Sequence, residues 1–597
     1  MDERDIILLI RRVALKNAIE HDGKARVDKV TAKIIAIRPD LRVSVKTLIP
    51  IITGVVEGIN RLSIDEQRSE LEAIEPSIMG EGRVEPKAEA KHEQFTLPPL
   101  PNAVMGSVVT RFPPEPNGYP HIGHAKAVII DEEYARMYKG KFILRFDDTN
   151  PAKEKREYYD AILDGLGWLG VKPDLIKNTS DDIELLYKYA ERLIEVDGAY
   201  VCTCKPDIIK RNRASGIACR CRSLSREENM ERWSKMFNEY RQNQAILRFR
   251  GDMKSSNTVM RDPTLFRIIE HEHPLKGHRY RVWPTYDFAA SVEDSIDGVT
   301  HALRSKEYEL RNELYYAILD RLGMRKPMVL EFSRLEFEGM PVSKRRIVPL
   351  IEKGLVKGWD DPRLPTLAAL RRRGIQPEAI REFVLSLGFT KADTKPPFEA
   401  LEAINRKVID ADAIRLFMVR KDDCIMLKVE GPKHAGMERE DDGFNTSKTA
   451  LVRIRNHPTN DALGSREVRV GDRFYIPLSD VRDAIGREVR LIDLYNVMLE
   501  RMEPTGDGYV AYARFTGYEV KDVKKVQWVS IDDAIEGVVL VPGQLYIDDS
   551  YNIESLETVH AYIESYAGKV SIGSIVQFVR FGFCRVDASG VFIMSHK

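Results

Sequence analysis

Apolar residues at Ile6, Leu9, Ile10 and Val13 keep the three- and four-residue spacing of one helical face, and the same spacing returns over 27–37 and 48–62. The chain is therefore expected to begin with an all-helical domain, placed at 1–85. The periodicity then stops. Gly-Glu-Gly, a Lys/Glu/Ala run and Leu97-Pro98-Pro99-Leu100-Pro101 predict a linker over 86–103. From Ser107 short β-branched runs alternate with helical ones: strands at 108–110 and 141–146 enclose a helix over 125–138, the order of a parallel α/β sheet. Helical patterns return over 364–387, interrupted by a polar, Pro-containing stretch at 391–397. After Gly443 short alternating segments such as 509–515 and 577–586, broken by Gly, Pro and Asp, predict β sandwiches or barrels. No fixed-period repeat is found. The expected whole is a multidomain α/β protein.

Composition narrows the function classes. At 597 residues the chain has room for about four domains. With 43% hydrophobic residues it can fill packed cores, which excludes disorder as its main state. Lys plus Arg and Asp plus Glu number 92 each, so any polyanionic partner must be held by local basic patches rather than a global field. No run approaches 18 apolar residues, and the run over 6–10 is cut by Arg11 and Arg12. Neither a membrane span nor a signal peptide is expected, and a cytoplasmic location is. Of six cysteines, Cys424 and Cys584 are expected to be inert core residues, while the other four cluster.

The most informative segment, Thr110-Arg111-Phe112-Pro113-Pro114-Glu115-Pro116-Asn117-Gly118-Tyr119-Pro120-His121-Ile122-Gly123-His124, lies between the first strand and its helix. That is where an open parallel sheet binds ligands. Histidines flanking a glycine at a helix N-terminus offer donors and free backbone N–H groups to phosphate; a Pro-rich turn with surface histidines is the bland alternative. Far downstream, Pro341-Val342-Ser343-Lys344-Arg345-Arg346 follows a Glu-Gly turn. Such a loop could carry Lys344 to a departing pyrophosphate, or could be a solvated basic loop.

Together these segments resemble the class I aminoacyl-tRNA synthetases, whose hallmarks are H-I-G-H and K-M-S-K-S on a split nucleotide-binding fold. His121 to His124 matches the first without substitution, and Val342-Ser343-Lys344-Arg345 keeps the central Ser-Lys of the second, in the manner of the glutamyl and glutaminyl branch. Arg145-Phe146-Asp147-Asp148-Thr149-Asn150-Pro151, Pro284-Thr285-Tyr286-Asp287-Phe288 and Gly298-Val299-Thr300-His301-Ala302-Leu303-Arg304 agree with that branch, and the match, extending from about Val104 to the C-terminus, is similar to the archaeal glutamyl enzymes. The resemblance implies a Rossmann-like catalytic domain over 104–345 with an acceptor-binding insertion at about 182–285. It further implies a helical stem-contact connector over 346–435 and anticodon-binding β-barrels over 436–597.

The resemblance also implies ATP with Mg²⁺, glutamate, and the glutamate tRNA as substrates, with the glutamine tRNA as a further acceptor to test. The tRNA would be required before glutamate is activated, and the enzyme would be a monomer. His121, His124 and Lys344 would be catalytic. Pro114, Glu115, Asn117, Gly123, Arg334, Leu335, Val342, Ser343 and Arg345 would border ATP. Arg111, Asp147, Tyr286 and Arg304 would hold the amino acid; Asp147 has a strand-end cap as its alternative. A guanidinium pairs with a carboxylate through two prongs, and a neutral amide cannot replace that, so Arg304 favours glutamate over glutamine. An i, i+3 ion pair with Glu307 is its alternative. The competing functions are a glutaminyl enzyme, a non-catalytic tRNA-binding paralogue and a small-molecule nucleotidyltransferase.

Cys202-Thr203-Cys204 and Cys219-Arg220-Cys221, fourteen residues apart, could close a tetrahedral structural zinc site. Reduced thiols and disulfides are the alternatives. Lys205, Lys210, Arg211, Arg213, Arg220 and Arg222 around them would suit acceptor-end phosphates or form a solvated face. Arg371-Arg372-Arg373 and Lys524-Lys525 near Trp528 are further candidate tRNA contacts, Trp528 with a core position as its alternative. No chemistry is identified in the helical N-terminal region, for which packing is the default and tRNA or protein binding the alternative.

Overall fold

The computed structural model describes residues 3–20, 23–37, 45–74, 97–393, 395–431, 449–506 and 508–597. The chain divides into two compact units, 1–94 and 95–597. In the first, helices α1 (Glu3–Glu20), α2 (Val27–Ile37), α3 (Val45–Ile59) and α4 (Ile64–Ile74) turn their apolar stripes onto one core that includes Ile10, Val13, Val30, Ile34, Ile52 and Val56. Periodicity alone predicted the first three of these helices. The expected boundary at 85 and linker residues 86–96 lie outside the described residues. The rest of that linker is corrected: Leu97 and Leu100 are buried in the core of the second unit, and the Leu100 N–H donates to Tyr138 Oη at 2.9 Å. Two apolar side chains among prolines are enough to anchor the strap.

The second unit begins with β1 (Val109–Phe112), α5 (Ile122–Met137), β2 (Lys141–Phe146), α6 (Arg156–Trp168) and β3 (Leu175–Asn178), whose strands pair in parallel in the order β1-β2-β3. An insertion follows, made of α7 (Ile183–Glu195), β4 (Ala199–Cys202), α8 (Pro206–Ser215), α9 (Arg226–Asn238), β5 (Ile246–Phe249), β6 (Thr264–Ile268) and β7 (Val282–Pro284). Its four strands form an antiparallel sheet over a core of Leu186, Trp233, Leu247 and Phe266. That core continues into Phe288 and Val292 of α10 (Tyr286–Ile296) and Leu314 and Ile318 of the later helix Asn312–Leu322, which fastens the insertion to the parent layer.

The parallel pair β8 (His301–Ser305) and β9 (Met328–Phe332), with α11 (Asn312–Leu322) between them, completes that layer. β8 lies beside β1, because the Thr300 N–H donates to Val109 O and Thr300 Oγ1 accepts from the Val109 N–H, both at 2.9 Å. The chain therefore leaves β1 in one direction for β2 and returns on its other side at β8. Such a reversal leaves a crevice at the strands' C-terminal ends.

Helices α12 (Lys344–Glu352), α13 (Leu367–Arg373), α14 (Pro377–Ser386) and α15 (Phe398–Ile409) lead to two seven-stranded, barrel-like sheets. One curls around Ile425, Leu427, Phe474, Val497 and Trp528; the other closes over Leu416, Val539, Val559, Phe578 and Phe592. The connector expected to stay helical to 435 is corrected here, because Ile414–Leu416, Met418–Arg420 and Cys424–Glu430 are already strands. Ile425, Leu427 and Val429 are buried at the two-residue period of a strand with one face inward. Cys584 is buried in the second core and Cys424 packs half-buried against the first.

Candidate active site

The turn after β1 delivers His121 to the cap of α5. His121 Nδ1 accepts from the Gly123 N–H at 3.1 Å, and His124 Nδ1 accepts from the His121 N–H at 3.2 Å, a reciprocal cap made by two imidazoles. Because both Nδ1 atoms accept, each neutral ring carries its proton on Nε2. Burial pushes His124 down to about 4 and His121 well below its ordinary range, with the neighbouring ring adding to the latter. The pair thus offers neutral N–H donors near a helix N-terminus. A Cβ on Gly123 would stand 2.9 Å from His121 Cε1 and 3.3 Å from the Leu335 carbonyl, so this position has no room for a side chain.

A cavity of about 560 Å³ opens at this point, in the crevice between β1 and β8. Of the residues singled out in the sequence, Pro114, Glu115, Asn117, His121, Gly123, His124, Asp147, Tyr286, Arg304, Arg334, Leu335, Val342 and Ser343 line it. Tyr308, Leu303, Glu307 and Asp131 line it as well and were missed. For Asp131 a signal existed: His124, Ala127 and Asp131 fall at i, i+3 and i+7 on one helical face.

Arg111 stands apart from the other expected amino-acid contacts. It is fully buried and outside the cavity lining: Nε and Nη2 donate to Asp294 at 3.0 and 3.1 Å, and Nη1 donates to Leu303 O at 2.9 Å. This buried ion pair braces α10 against β1. Arg304 is the opposite case. It is 5% exposed, yet its Nε and Nη2 have no hydrogen-bond partner among the described residues. Its guanidinium lies 4.3 Å from the Tyr315 ring centre and 3.9 Å from Asp294. The alternative pairing with Glu307 is not made, since Glu307 pairs with Arg334 and accepts from Ser305. Arg304 sits on a strand, where i and i+3 do not share a face. Asp147 accepts from Thr149 Oγ1 at 3.1 Å, and burial, with Glu115 nearby, pushes its carboxyl up to about 6.

Ser343 occupies the position just before α12 without a side-chain capping bond, and Lys344 is the first helical residue. Its ammonium donates to the Asn117 carbonyl and lies 4.9 Å over the Tyr158 ring, which links the second basic loop to the Pro-rich turn. Lys344 and Arg345 are exposed and stand outside the cavity lining, whereas Val342 and Ser343 belong to it. Burial and the neighbouring Lys155 lower the Lys344 pKa.

Residues 107–411 match the catalytic domain of tRNA synthetases class I (E and Q), and 413–517 and 525–587 match two anti-codon binding domains of the same class. The chain belongs to the class I (E and Q) tRNA synthetases. The synthetase is 49% identical over 594 residues to a glutamate–tRNA ligase of Cenarchaeum symbiosum, covering 99% of this chain and 100% of that one. It is 48% identical over 599 residues to the corresponding ligase of Nitrosopumilus maritimus, covering all of both chains (100% and 100%). With that of Pyrococcus furiosus it shares 41% over 589 residues, 97% of each chain.

In the insertion of the synthetase, the Sγ atoms of Cys202, Cys204, Cys219 and Cys221 all lie within 4.8 Å of one another. Cys202 and Cys219, and Cys204 and Cys221, are 3.8 Å apart, and the four are free thiols in this structure. Four thiolates about 2.3 Å from one zinc have S···S edges near 3.8 Å, so the donor set fits that ion. Arg248 Nη1 reaches Cys202 and Cys219 Sγ at 3.9 and 3.8 Å, and Arg232 Nη1 reaches Cys221 Sγ at 3.6 Å, donors that suit thiolate charge. Of the surrounding basic residues, Arg213 donates to the Arg261 and Thr258 carbonyls and Arg222 pairs with Asp262, whereas Lys205, Lys210, Arg211 and Arg220 form an exposed face.

Two expected tRNA contacts are corrected. Trp528 is a core residue, 1% exposed, whose Nε1–H donates to Ile492 O at 2.7 Å. Arg372 pairs with Asp587 at 2.7 Å and Arg373 with Glu402 at 2.7 Å, so the arginine run chiefly rivets α13 to its neighbours. A basic pocket was missed. Arg415, Arg453, Arg455, Arg466, Arg490, Phe417 and Gln577 line a cavity of about 670 Å³ between the two sheets of the anti-codon binding region. These arginines are scattered over 75 positions, so no local run announces them. Among the described residues no helix is long and apolar enough to cross a membrane.

Proposed function

We propose that the synthetase joins glutamate to tRNA in two steps. In the first, a glutamate α-carboxylate oxygen bonds to the α-phosphorus of ATP and the α–β bridging P–O bond breaks, giving glutamyl-adenylate and pyrophosphate. In the second, the 2′-hydroxyl of the terminal adenosine takes the acyl group, losing its proton as the acyl–phosphate bond breaks and AMP leaves. Mg²⁺ enters with ATP as part of the substrate complex.

The observation that carries the glutamate assignment is Arg304, a buried guanidinium with unpartnered N–H groups in the same cavity as the His121–His124 cap. Leaving such donors unmet costs about 1–3 kcal/mol each, a cost that a carboxylate ligand removes and a neutral amide does not fully remove. The first step needs positioned donors more than covalent chemistry. His121 and His124 supply neutral N–H donors, Lys344 supplies mobile positive charge, and Asp147 faces the substrate ammonium. Glu115, Asn117, Arg334, Leu335, Val342 and Ser343 border the nucleotide, with Arg345 outside that group. Arg111 acts indirectly by holding Asp294 and the Leu303 carbonyl beside Arg304. Zinc in the four-cysteine set pins the exposed basic face against acceptor-end phosphates, and the arginine-lined pocket between the sheets takes an unstacked anticodon-loop nucleotide.

The test is aminoacylation with labelled glutamate and, separately, glutamine, on purified glutamate and glutamine tRNAs with ATP and Mg²⁺. Glutamate charging is expected, and the tRNAs that accept it define the acceptor range. Charging by glutamine alone overturns the pocket assignment, and charging by neither favours a tRNA-binding paralogue.

A further inference from the structure

Asp131 lies on α5 two turns beyond His124, about 10 Å along the helix, on the face that lines the cavity. It is 1% exposed, and its Oδ1 has no hydrogen-bond partner among the described residues. Thr110 Oγ1 donates to the Asp131 backbone carbonyl at 2.7 Å, which ties this turn of the helix to β1. The charged groups that act on it are Arg111 from β1 and Asp294 from α10, and Tyr286 of α10 and Arg304 of β8 line the same cavity. Arg111 is committed to Asp294 and Leu303 O through Nε, Nη2 and Nη1, so it is a weak partner for a second carboxylate. Burial pushes the Asp131 carboxyl well above the usual carboxylate range, against the opposing pull of the Arg111 charge and with the Asp294 charge adding to the rise. A neutral carboxylic acid in such a place is a hydrogen-bond donor, and a carboxylate brought beside it favours keeping it protonated.

We propose that Asp131 is a glutamate-pocket residue that donates an O–H hydrogen bond to the substrate's side-chain carboxylate in the cavity that Arg304 also lines. This deepens the reading above and rests on glutamate being the substrate. Arg304 then supplies charge and Asp131 a donor that adds no second cation. A hydrogen bond to a charged group contributes enough that its loss should cost about tenfold or more in binding.

The experiment measures KM for glutamate and for ATP, with melting temperatures, in wild-type enzyme, Asp131→Asn and Asp131→Leu. Asp131→Asn keeps an N–H donor and a carbonyl acceptor in nearly the same shape and cannot ionise. Its glutamate KM is expected within about threefold of wild type at pH 6.5. Asp131→Leu is expected to raise the glutamate KM about tenfold or more and leave the ATP KM unchanged. If Asp131→Asn raises the glutamate KM at pH 6.5 as far as Asp131→Leu does, an ionised carboxylate is required and the proposal fails. It also fails if folded Asp131→Leu keeps the wild-type glutamate KM. Should Asp131→Leu not fold, a glutamate KM for Asp131→Asn more than tenfold above wild type at pH 6.5 overturns it. Wild-type enzyme that charges glutamine and not glutamate would overturn the substrate reading instead.

Discussion

Replacing Arg304 by leucine separates a binding guanidinium from one that belongs to the buried ion network. Its Nε and Nη2 are buried and unpartnered, so a two-pronged bond to a substrate carboxylate would add two charge-assisted hydrogen bonds, about 3–5 kcal/mol together. The expected loss in kcat/KM for glutamate is about 10²- to 10⁴-fold, with the ATP KM nearly unchanged. The effect on stability runs the other way. Leucine removes two buried unmet N–H groups, which offsets the loss of the 4.3 Å contact with the Tyr315 ring and of the 3.9 Å contact with Asp294. Asp294 keeps Arg111 at 3.0 Å and Arg145 at 2.6 Å, so its charge stays balanced. The melting temperature should move by no more than roughly 3 °C. Steady-state aminoacylation at varied glutamate, beside calorimetry or thermal fluorescence, reads both quantities. A clear drop in melting temperature with a glutamate KM within threefold of wild type would refute the reasoning, because it would make Arg304 a structural ion-pair member.

Three further outcomes follow from the same geometry. Lys344→Gln should slow tRNA-dependent pyrophosphate exchange about 10²- to 10³-fold while leaving the glutamate KM in place; an unchanged rate would leave the loop no electrostatic role. Because the Asp147 carboxyl is pushed up to about 6, the charge that we propose faces the substrate ammonium is lost as pH falls through that value. The glutamate KM should therefore rise below pH 6 in wild type and stay high and pH-independent in Asp147→Asn. A carboxyl whose pKa is raised by folding opposes the fold once ionised, so Asp147→Asn should also melt higher at neutral pH. Elemental analysis of enzyme purified without added metal should find about one zinc per chain, and Cys219→Ser should lower that content; folded, active protein with less than about a tenth of an equivalent would end the zinc assignment.

What was legible early was local. Helical periodicity located the N-terminal core, and the strand–turn–helix order with His121-Ile122-Gly123-His124 located the cavity, because short-range spacing decides which side chains share a face or cap a helix. The connector was read as helical too far along because Ile425, Leu427 and Val429 show their two-residue period only over a short run. Trp528 and Arg372 looked like nucleic-acid contacts because their hydrogen-bond and ion-pair partners, Ile492 and Asp587, lie 36 and 215 positions away.

By itself the sequence determined the helical N-terminal region, the strand–helix–strand opening of the α/β layer, the turn that caps α5, and four cysteines placed to meet. Those features depend on neighbours within a turn or a hairpin. The tertiary structure decided how the charges are used. Arg111 and Arg304 are the same residue type on adjacent strands, yet Asp294 satisfies the first with two hydrogen bonds and leaves the second, 3.9 Å away, with buried donors that have no hydrogen-bond partner among the described residues. Which guanidinium is paired depends on where α10 crosses the sheet, and that crossing is set by packing between segments far apart in the chain.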